Sequence, residues 1–237
     1  MSKPFKFKEF EIHQDRCAMK IGTDGVLLGA WASIDHNPFS ILDIGAGTGV
    51  IALMLAQRSF AELIDAIEID DEAYEQCVDN FENAPWADRL FCYHAALDEF
   101  VDEIEDKYDL IISNPPFYSE NYKTDNEQRD LARFADALPF DHLIDSASKL
   151  LSEHGKFCVI TPFKEEENII NLASKVNLFL NKILHVKGNP NSEIKRSLMQ
   201  FSFTKTEIET NTLIIETERH NYTEDYINLT KDFYLKM

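Results

Sequence analysis

The stretch "FSILDIGAGTGVIALMLAQR" (residues 39–58) decides the fold. Its first part, "FSILDIGA" (39–46), is an apolar run of strand length. Its last part, "VIALMLAQR" (50–58), reads as a helix. Between them stand Gly45, Gly47 and Gly49. Glycine allows a tight turn and lets a ligand approach the backbone closely. Strand, glycine turn, helix fits the opening of a nucleotide-binding α/β unit, although a purely structural glycine turn has the same spacing.

Working outward, the same alternation continues. Strands are expected at "LIDAIEID" (63–70), "RLFCYHAA" (89–96), "YDLIIS" (108–113) and "KFCVITP" (156–162). Helices are expected at 71–84, 97–105 and 165–177, and at 140–155, where Gly155 closes "FDHLIDSASKLLSEHG". "LFLNKILHVKG" and "RSLMQFSFTK" form a strand pair joined by "NPNSEIK". A short strand near 212–216 and a helix near 223–236 end the chain. Alternating strands and helices imply a parallel sheet with right-handed crossovers. The expected fold is α/β: a Rossmann-like, doubly wound sheet of seven strands with an antiparallel last strand. The expected division is an N-terminal covering segment, 1–38, and a main domain, 39–237, in one compact unit.

Composition bounds the function. The chain has 237 residues and a net charge of −19, which argues against a general nucleic-acid binder. The acid is concentrated: residues 41–113 carry three Lys/Arg against eighteen Asp/Glu, whereas 114–205 carry twelve of each. A neutral or basic face toward a polyanion is therefore permitted. No apolar run is long enough to span a membrane, and the N-terminus has no signal-peptide core. Four scattered cysteines and seven scattered histidines show no metal-ligand spacing, so no metal is expected. A cytoplasmic protein is expected. The oligomeric state is left open, with a monomer as the expectation.

Glu68, at the end of the second strand of the unit, stands where an acid binds both ribose hydroxyls of a nucleotide. A dinucleotide site usually has Gly or Ala where this chain has Val50. Asp43 also adds an anion where a pyrophosphate would sit. It suits a cofactor with an amino group and a sulfonium cation. The loop favours S-adenosylmethionine, although Asp43 could equally cap the loop by accepting backbone N–H groups.

"SNPPFY" (113–118) follows the 108–113 strand at once. Two prolines stop both strand and helix. An amide and two aromatics come with them.

"DIGAGTG", "AIEID" and "SNPPF", in this order and on these strands, resemble the class I methyltransferases that modify an exocyclic or amide nitrogen. "FKFKEFEIHQDRCAMKIGTDGVLLGAWA" (5–32) narrows the likeness. It resembles the start of the bacterial tRNA(Val) adenine-37 N6-methyltransferases, as do "NEQRDLARF" (126–134) and "KRSLMQFSF" (195–203). The likeness covers nearly the whole chain.

This resemblance implies methyl transfer to N6 of adenosine 37 in the anticodon region of a valine tRNA. It implies that Asp43, Gly45, Gly47 and Glu68 hold the cofactor and that Lys20, Thr23 and Asp24 of "KIGTDG" cover it. It implies that Asn114, Pro115, Pro116 and Phe117 form the catalytic loop. Two positions depart from the pattern. Ala95 and Ala96 stand where an acid usually meets the cofactor's adenine, and Phe134 stands where a His is expected.

The catalytic loop has a chemical reason. An adenine amino group is a poor nucleophile, because its lone pair is delocalised into the ring. Two acceptors aimed at its hydrogens, the Asn114 oxygen and the Pro115 carbonyl, would draw the nitrogen toward sp³ character. The prolines would hold that pair rigid. Phe117, extended by Tyr118, offers a stacking face worth about 1–3 kcal/mol. Lys3, Lys6, Lys8, Arg16, Arg129, Arg133, Lys195 and Arg196 are the candidate phosphate contacts. A glutamine amide in a release factor, or guanine N2 in ribosomal RNA, would be served by the same acceptor pair. A cofactor-binding module without catalysis is the remaining alternative.

Overall fold

The computed structural model describes residues 3–116 and 138–237. A short hairpin, β1 (Phe5–Lys6) and β2 (Glu11–Ile12), leads to helix α1 (Thr23–Trp31). The α/β alternation follows as β3 (Ser40–Ile44), α2 (Val50–Arg58), β4 (Leu63–Glu68), α3 (Asp71–Glu82), β5 (Leu90–His94), α4 (Leu97–Glu103) and β6 (Tyr108–Ser113). After the gap come α5 (Phe140–Leu150), β7 (Leu151–Pro162), α6 (Glu166–Lys175), β8 (Phe179–Lys187), β9 (Ile194–Ser202) and β10 (Glu209–Ile214). A small pair, β11 (Glu216–Glu218) and β12 (Asn221–Tyr222), and helix α7 (Glu224–Thr230) close the chain.

The main sheet has eight strands in the order β10-β8-β9-β7-β6-β3-β4-β5. Strand β9 runs antiparallel to both β7 and β8; all other pairings in the sheet are parallel. Seven strands form the expected doubly wound sheet. The eighth is β10, the strand expected near 212–216, which begins at Glu209 and pairs in parallel along β8.

Helix α5 ends at Leu150, five residues short of the expected Gly155, and the chain turns extended at Leu151. Gly155 is a strand residue. The pairing of β7 on β6 shifts between Tyr108↔Leu151 and Leu110↔Lys156. A Cβ on Gly155 would lie 2.9 Å from the Tyr108 carbonyl oxygen and 2.8 Å from the Leu151 side chain. The glycine therefore permits an irregular strand crossing rather than a helix cap.

Both faces of the sheet are covered. Helices α1, α2 and α7 and the N-terminal hairpin pack one face, through Val26, Leu27, Leu53, Met54, Leu198 and Phe233. Helices α4, α5 and α6 pack the other, through Phe100, Leu143, Ile169 and Phe201. Helix α1 lies close on α2: a Cβ on Gly29 would meet Met54 Sδ at 2.9 Å. Arg58 reinforces the contact by donating to the carbonyls of Gly29 (2.7 Å) and Ala32 (3.0 Å). The residues before β3 are thus part of the core. No helix among the described residues is long and apolar enough to cross a membrane.

Strand order reverses between β3 and β6: β4 and β5 lie on one side, β7 onward on the other. In doubly wound sheets ligands bind at this switch, beyond the carboxyl ends of the strands. Here the glycine turn leaves β3 and Asn114 leaves β6 at that place.

Candidate active site

The glycine turn is held from two sides. The N–H groups of Gly45 and Ala46 both donate to the Ile67 carbonyl, at 3.0 and 3.1 Å. The Gly47 N–H donates to Glu68 Oε2 at 2.8 Å. Gly45, Gly47 and Gly49 all have positive φ, at 73°, 55° and 76°. A Cβ on Gly45 or Gly47 would meet nothing within 4 Å, so these two face open space where a ligand fits. A Cβ on Gly49 would lie 2.5 Å from Phe81 and 2.8 Å from Cys77 Sγ, so this glycine serves packing on α3 instead.

Glu68 is not a loose surface acid. Its second oxygen, Oε1, accepts from the N–H groups of Ile69 (2.9 Å) and Asp70 (3.0 Å). Three backbone donors orient one carboxylate at the tip of β4. Beside it Ile69 is an exposed apolar side chain, 53% accessible. Its signal in the sequence is an apolar residue directly after the acid at a strand end.

Asp43 is fully buried below the turn. Its Oδ2 accepts from the Ala52 N–H at 3.2 Å, and its Oδ1 has no hydrogen-bond partner among the described residues. Loss of solvent pushes its pKa up to about 7; the Ala52 hydrogen bond opposes this and the Glu68 charge adds to it. A buried carboxyl with an unused oxygen, next to a second acid, suits a cationic ligand at the turn and repels a diphosphate. The residues present therefore fit a sulfonium and ammonium cofactor.

Segment 13–22 is fastened over this turn by two amides of α3. Asn80 accepts from the His13 N–H (2.9 Å) and donates to the carbonyls of His13 and Thr48, both at 2.9 Å. Gln76 accepts from the Arg16 N–H at 3.2 Å. Both amides are buried, at 1% and 2% accessibility. Neither is among the expected site residues, yet the signal is present in the sequence: Ala73, Gln76, Cys77, Asn80 and Phe81 share one helical face, and two of these positions are polar. Cys17, in the same segment, is buried, and desolvation raises its thiol pKa to about 12. That makes it a packing residue.

Lys20 and Thr23 are exposed at the end of this segment. Asp24 pairs with Arg196 Nε at 2.7 Å, joining α1 to β9. Behind Asp24, a Cβ on Gly25 would lie 3.8 Å from Asn114 Nδ2 and 3.5 Å from Val50. Helix α1 thus reaches both the start of α2 and the end of β6.

Asn114 is half-buried, Pro115 buried and Pro116 half-buried. The preceding Ser113 is fully buried and its hydroxyl donates to the Ile44 carbonyl at 2.9 Å. That bond ties the end of β6 to the end of β3, one residue before each loop begins. Phe117, Tyr118, Arg129, Arg133 and Phe134 lie outside the described residues.

Ala96 caps the start of α4, and the Glu99 carboxylate accepts its N–H at 3.3 Å. An acid is therefore present near the β5 end, one helical turn later than expected. Four of the candidate phosphate contacts have partners within the chain. Lys6 pairs with Glu11 at 2.9 Å, and Arg16 with Glu75 at 3.2 Å and with Asp79. Lys8 donates to carbonyls of the C-terminal segment, including Met237 at 3.1 Å, and Arg196 holds Asp24. Lys3 and Lys195 are exposed.

A switch-point site with a glycine turn, an anchored acid and an Asn-Pro-Pro exit from the next strand defines a methyltransferase. The family model "Methyltransferase small domain" matches residues 26–179. Solved structures with the same fold include one described as a predicted O-methyltransferase from Agrobacterium tumefaciens (TM-score 0.69, 20% identity, covering 89% of this chain and 96% of that one). Another is a ribosomal protein L11 methylase from Lactobacillus delbrueckii (TM-score 0.53, 16% identity, covering 74% and 76%).

Curated relatives are far closer in sequence. The chain is 66% identical to the tRNA1(Val) (adenine(37)-N6)-methyltransferase of Flavobacterium psychrophilum over 233 residues, covering 98% of this chain and all of that protein. It is likewise 66% identical to the same-named protein of Christiangramia forsetii, over 100% of this chain and 99% of that one. The chain belongs to the tRNA1(Val) (adenine(37)-N6)-methyltransferase family.

Proposed function

We propose that this enzyme transfers a methyl group from S-adenosylmethionine to N6 of adenosine 37, in the anticodon region of a valine tRNA. The observation that carries the reading is the meeting of three elements at the switch point. They are the open glycine turn with Glu68, the end of β6 with Asn114, and α1 with Gly25 packed between them.

Each residue has a role in this reading. Glu68 accepts the two ribose hydroxyls, and Ile69 covers one face of the cofactor's adenine. Gly45 and Gly47 let the methionine portion lie against the backbone, with Asp43 answering its positive charge. Lys20, Thr23 and Asp24 close over it. When bound, S-adenosylmethionine supplies an electrophilic methyl group. The Asn114 side chain sits beside Gly25, and its amide oxygen accepts one amino hydrogen. The Pro115 carbonyl accepts the other. Asn serves better than Asp here, because it accepts without placing a full charge beside the sulfonium. Phe117 stacks the extruded base. The proton leaves to water after transfer, so no strong general base is needed. Residues 1–38 act as the cover and 39–237 as the catalytic domain. Such an enzyme works where tRNA matures, in the cytoplasm.

The test is a pair of transcripts. Unmodified valine tRNA should accept methyl groups stoichiometrically, and the same transcript with guanosine at position 37 should accept none. Equal labelling of both would overturn the assignment.

A further inference from the structure

The chain after β7 builds a cavity on the same edge of the sheet as Asn114. Phe163 directly follows Pro162, the last residue of β7, and β7 is the neighbour of β6. Phe163 is 40% accessible. It borders an open cavity of about 630 Å³ whose other walls include Lys187, Asn191, Ser192 and Glu193, from the end of β8 and the β8–β9 loop.

The ring is held in place. His185 meets it edge-on, at 5.5 Å between centroids and 88° between planes. His185 Nε2 lies 2.9 Å from Glu166 Oε2, and the Ser197 hydroxyl donates to the same oxygen. His185 and Glu166 have side chains only 17% and 20% accessible. A polar network thus holds His185 against Phe163, which also lines the cavity.

We propose that this cavity is a nucleotide subsite, and that Phe163 stacks a base flanking the methylated adenosine in the same RNA strand. The proposal rests on the tRNA reading above. Three features fit one nucleotide. A fixed aromatic face suits any base, because every base has a π-face. Lys187, on the cavity wall with its ammonium donating to the Pro190 carbonyl at 3.0 Å, and Lys195, exposed on the neighbouring strand, suit phosphate oxygens. Asn191 and Glu193 offer acceptors to exocyclic amino groups. Glu193 also repels phosphate, so it places the base, not the backbone, at its own end of the cavity. This subsite also answers how an acidic chain engages RNA: through stacking at a fixed ring with few charges.

The experiment measures methyl transfer to an unmodified valine tRNA, with an abasic residue scanned through its anticodon loop. Phe163→Ala should raise KM for RNA about tenfold while leaving kcat and the S-adenosylmethionine Kd unchanged. Phe163→Tyr should restore the wild-type KM. At one abasic position Phe163→Ala should cost nothing further, because the stacking partner is already gone. Lys187→Gln should lower the salt slope of RNA binding by about one. An unchanged KM in Phe163→Ala, or an equal further loss at every abasic position, overturns the subsite alone. A wild-type protein that methylates no valine tRNA overturns the subsite and the tRNA reading together.

Discussion

Gly47 and Glu68, 21 residues apart in the chain, are joined by one hydrogen bond of 2.8 Å between the glycine N–H and the carboxylate. It locks the glycine turn to the tip of β4, so the two halves of the proposed cofactor cradle are joined within the chain itself. Hydrogen bonds to a charged acceptor are worth about 1.5–3 kcal/mol each. Glu68→Ala should therefore weaken S-adenosylmethionine binding by at least about tenfold, roughly 1.4 kcal/mol. Glu68→Gln should fall between, since it keeps one acceptor oxygen. Calorimetric titration reads both; a wild-type Kd in Glu68→Ala would remove Glu68 from the site.

The glycines of the turn should separate. Gly49→Ala places a methyl against Phe81 and Cys77 at a positive φ. It should cost roughly 2–4 kcal/mol of stability. Gly47→Ala meets no atom and carries only the backbone cost, about 1–2 kcal/mol. It should weaken the cofactor, whose path its methyl obstructs. Chemical denaturation with a binding assay checks the pair; a destabilised Gly47→Ala that binds the cofactor normally would contradict this division.

Asp43 makes stability depend on pH. Its pKa is raised by burial to about 7 in the folded protein, above its ordinary 3.8. The folded state thus holds a proton that the unfolded state has lost. Its contribution is fully present below pH 3.8 and is lost as pH rises to about 7, by up to about 1.4 kcal/mol per unit. Asp43→Asn removes this titration and keeps an acceptor for Ala52. The Tm of Asp43→Asn relative to wild type, without cofactor, should rise from pH 4 to 7 and then level. A pH-independent difference would show that Asp43 does not titrate there.

How far the sequence reveals this site depends on the range of each interaction. The turn at 45–49 and the acid at 68 are legible because both belong to one local β-α-β unit with a fixed spacing. Leu150 and Leu151 are not legible as a boundary. An unbroken apolar pair serves a helix end and a strand start equally well, and Gly155 drew the helix on to itself. The expected roles of Arg16 and Arg196 miss their partners for another reason. Asp79 and Asp24 lie 63 and 172 residues away, and only the folded chain brings them together. The same holds for Asn80, whose polarity shows in sequence but whose partner, His13, does not.

The Asp24–Arg196 pair should act as a unit. Both side chains are about one-third accessible, at 27% and 33%, so the stability at stake is modest. Their removal loosens α1, and with it Gly25 beside Asn114. Asp24→Ala and Arg196→Ala should each lower kcat, and the double variant should lose no more than the worse single one. Fully additive losses would return Arg196 to a separate role on RNA.

Asn114→Ala should separate binding from chemistry. Loss of one acceptor on the reacting amino group should lower kcat by about 10²–10³ and leave the cofactor Kd nearly unchanged. Equal losses in both would mean that Asn114 holds the cofactor instead.

The most direct measurement incubates the protein with labelled S-adenosylmethionine and bulk tRNA, digests the RNA to nucleosides and identifies the labelled product. Label in N6-methyladenosine, from a position beside the anticodon of valine tRNA, is the predicted result. Label only in methylguanosine, or only in protein, would contradict it.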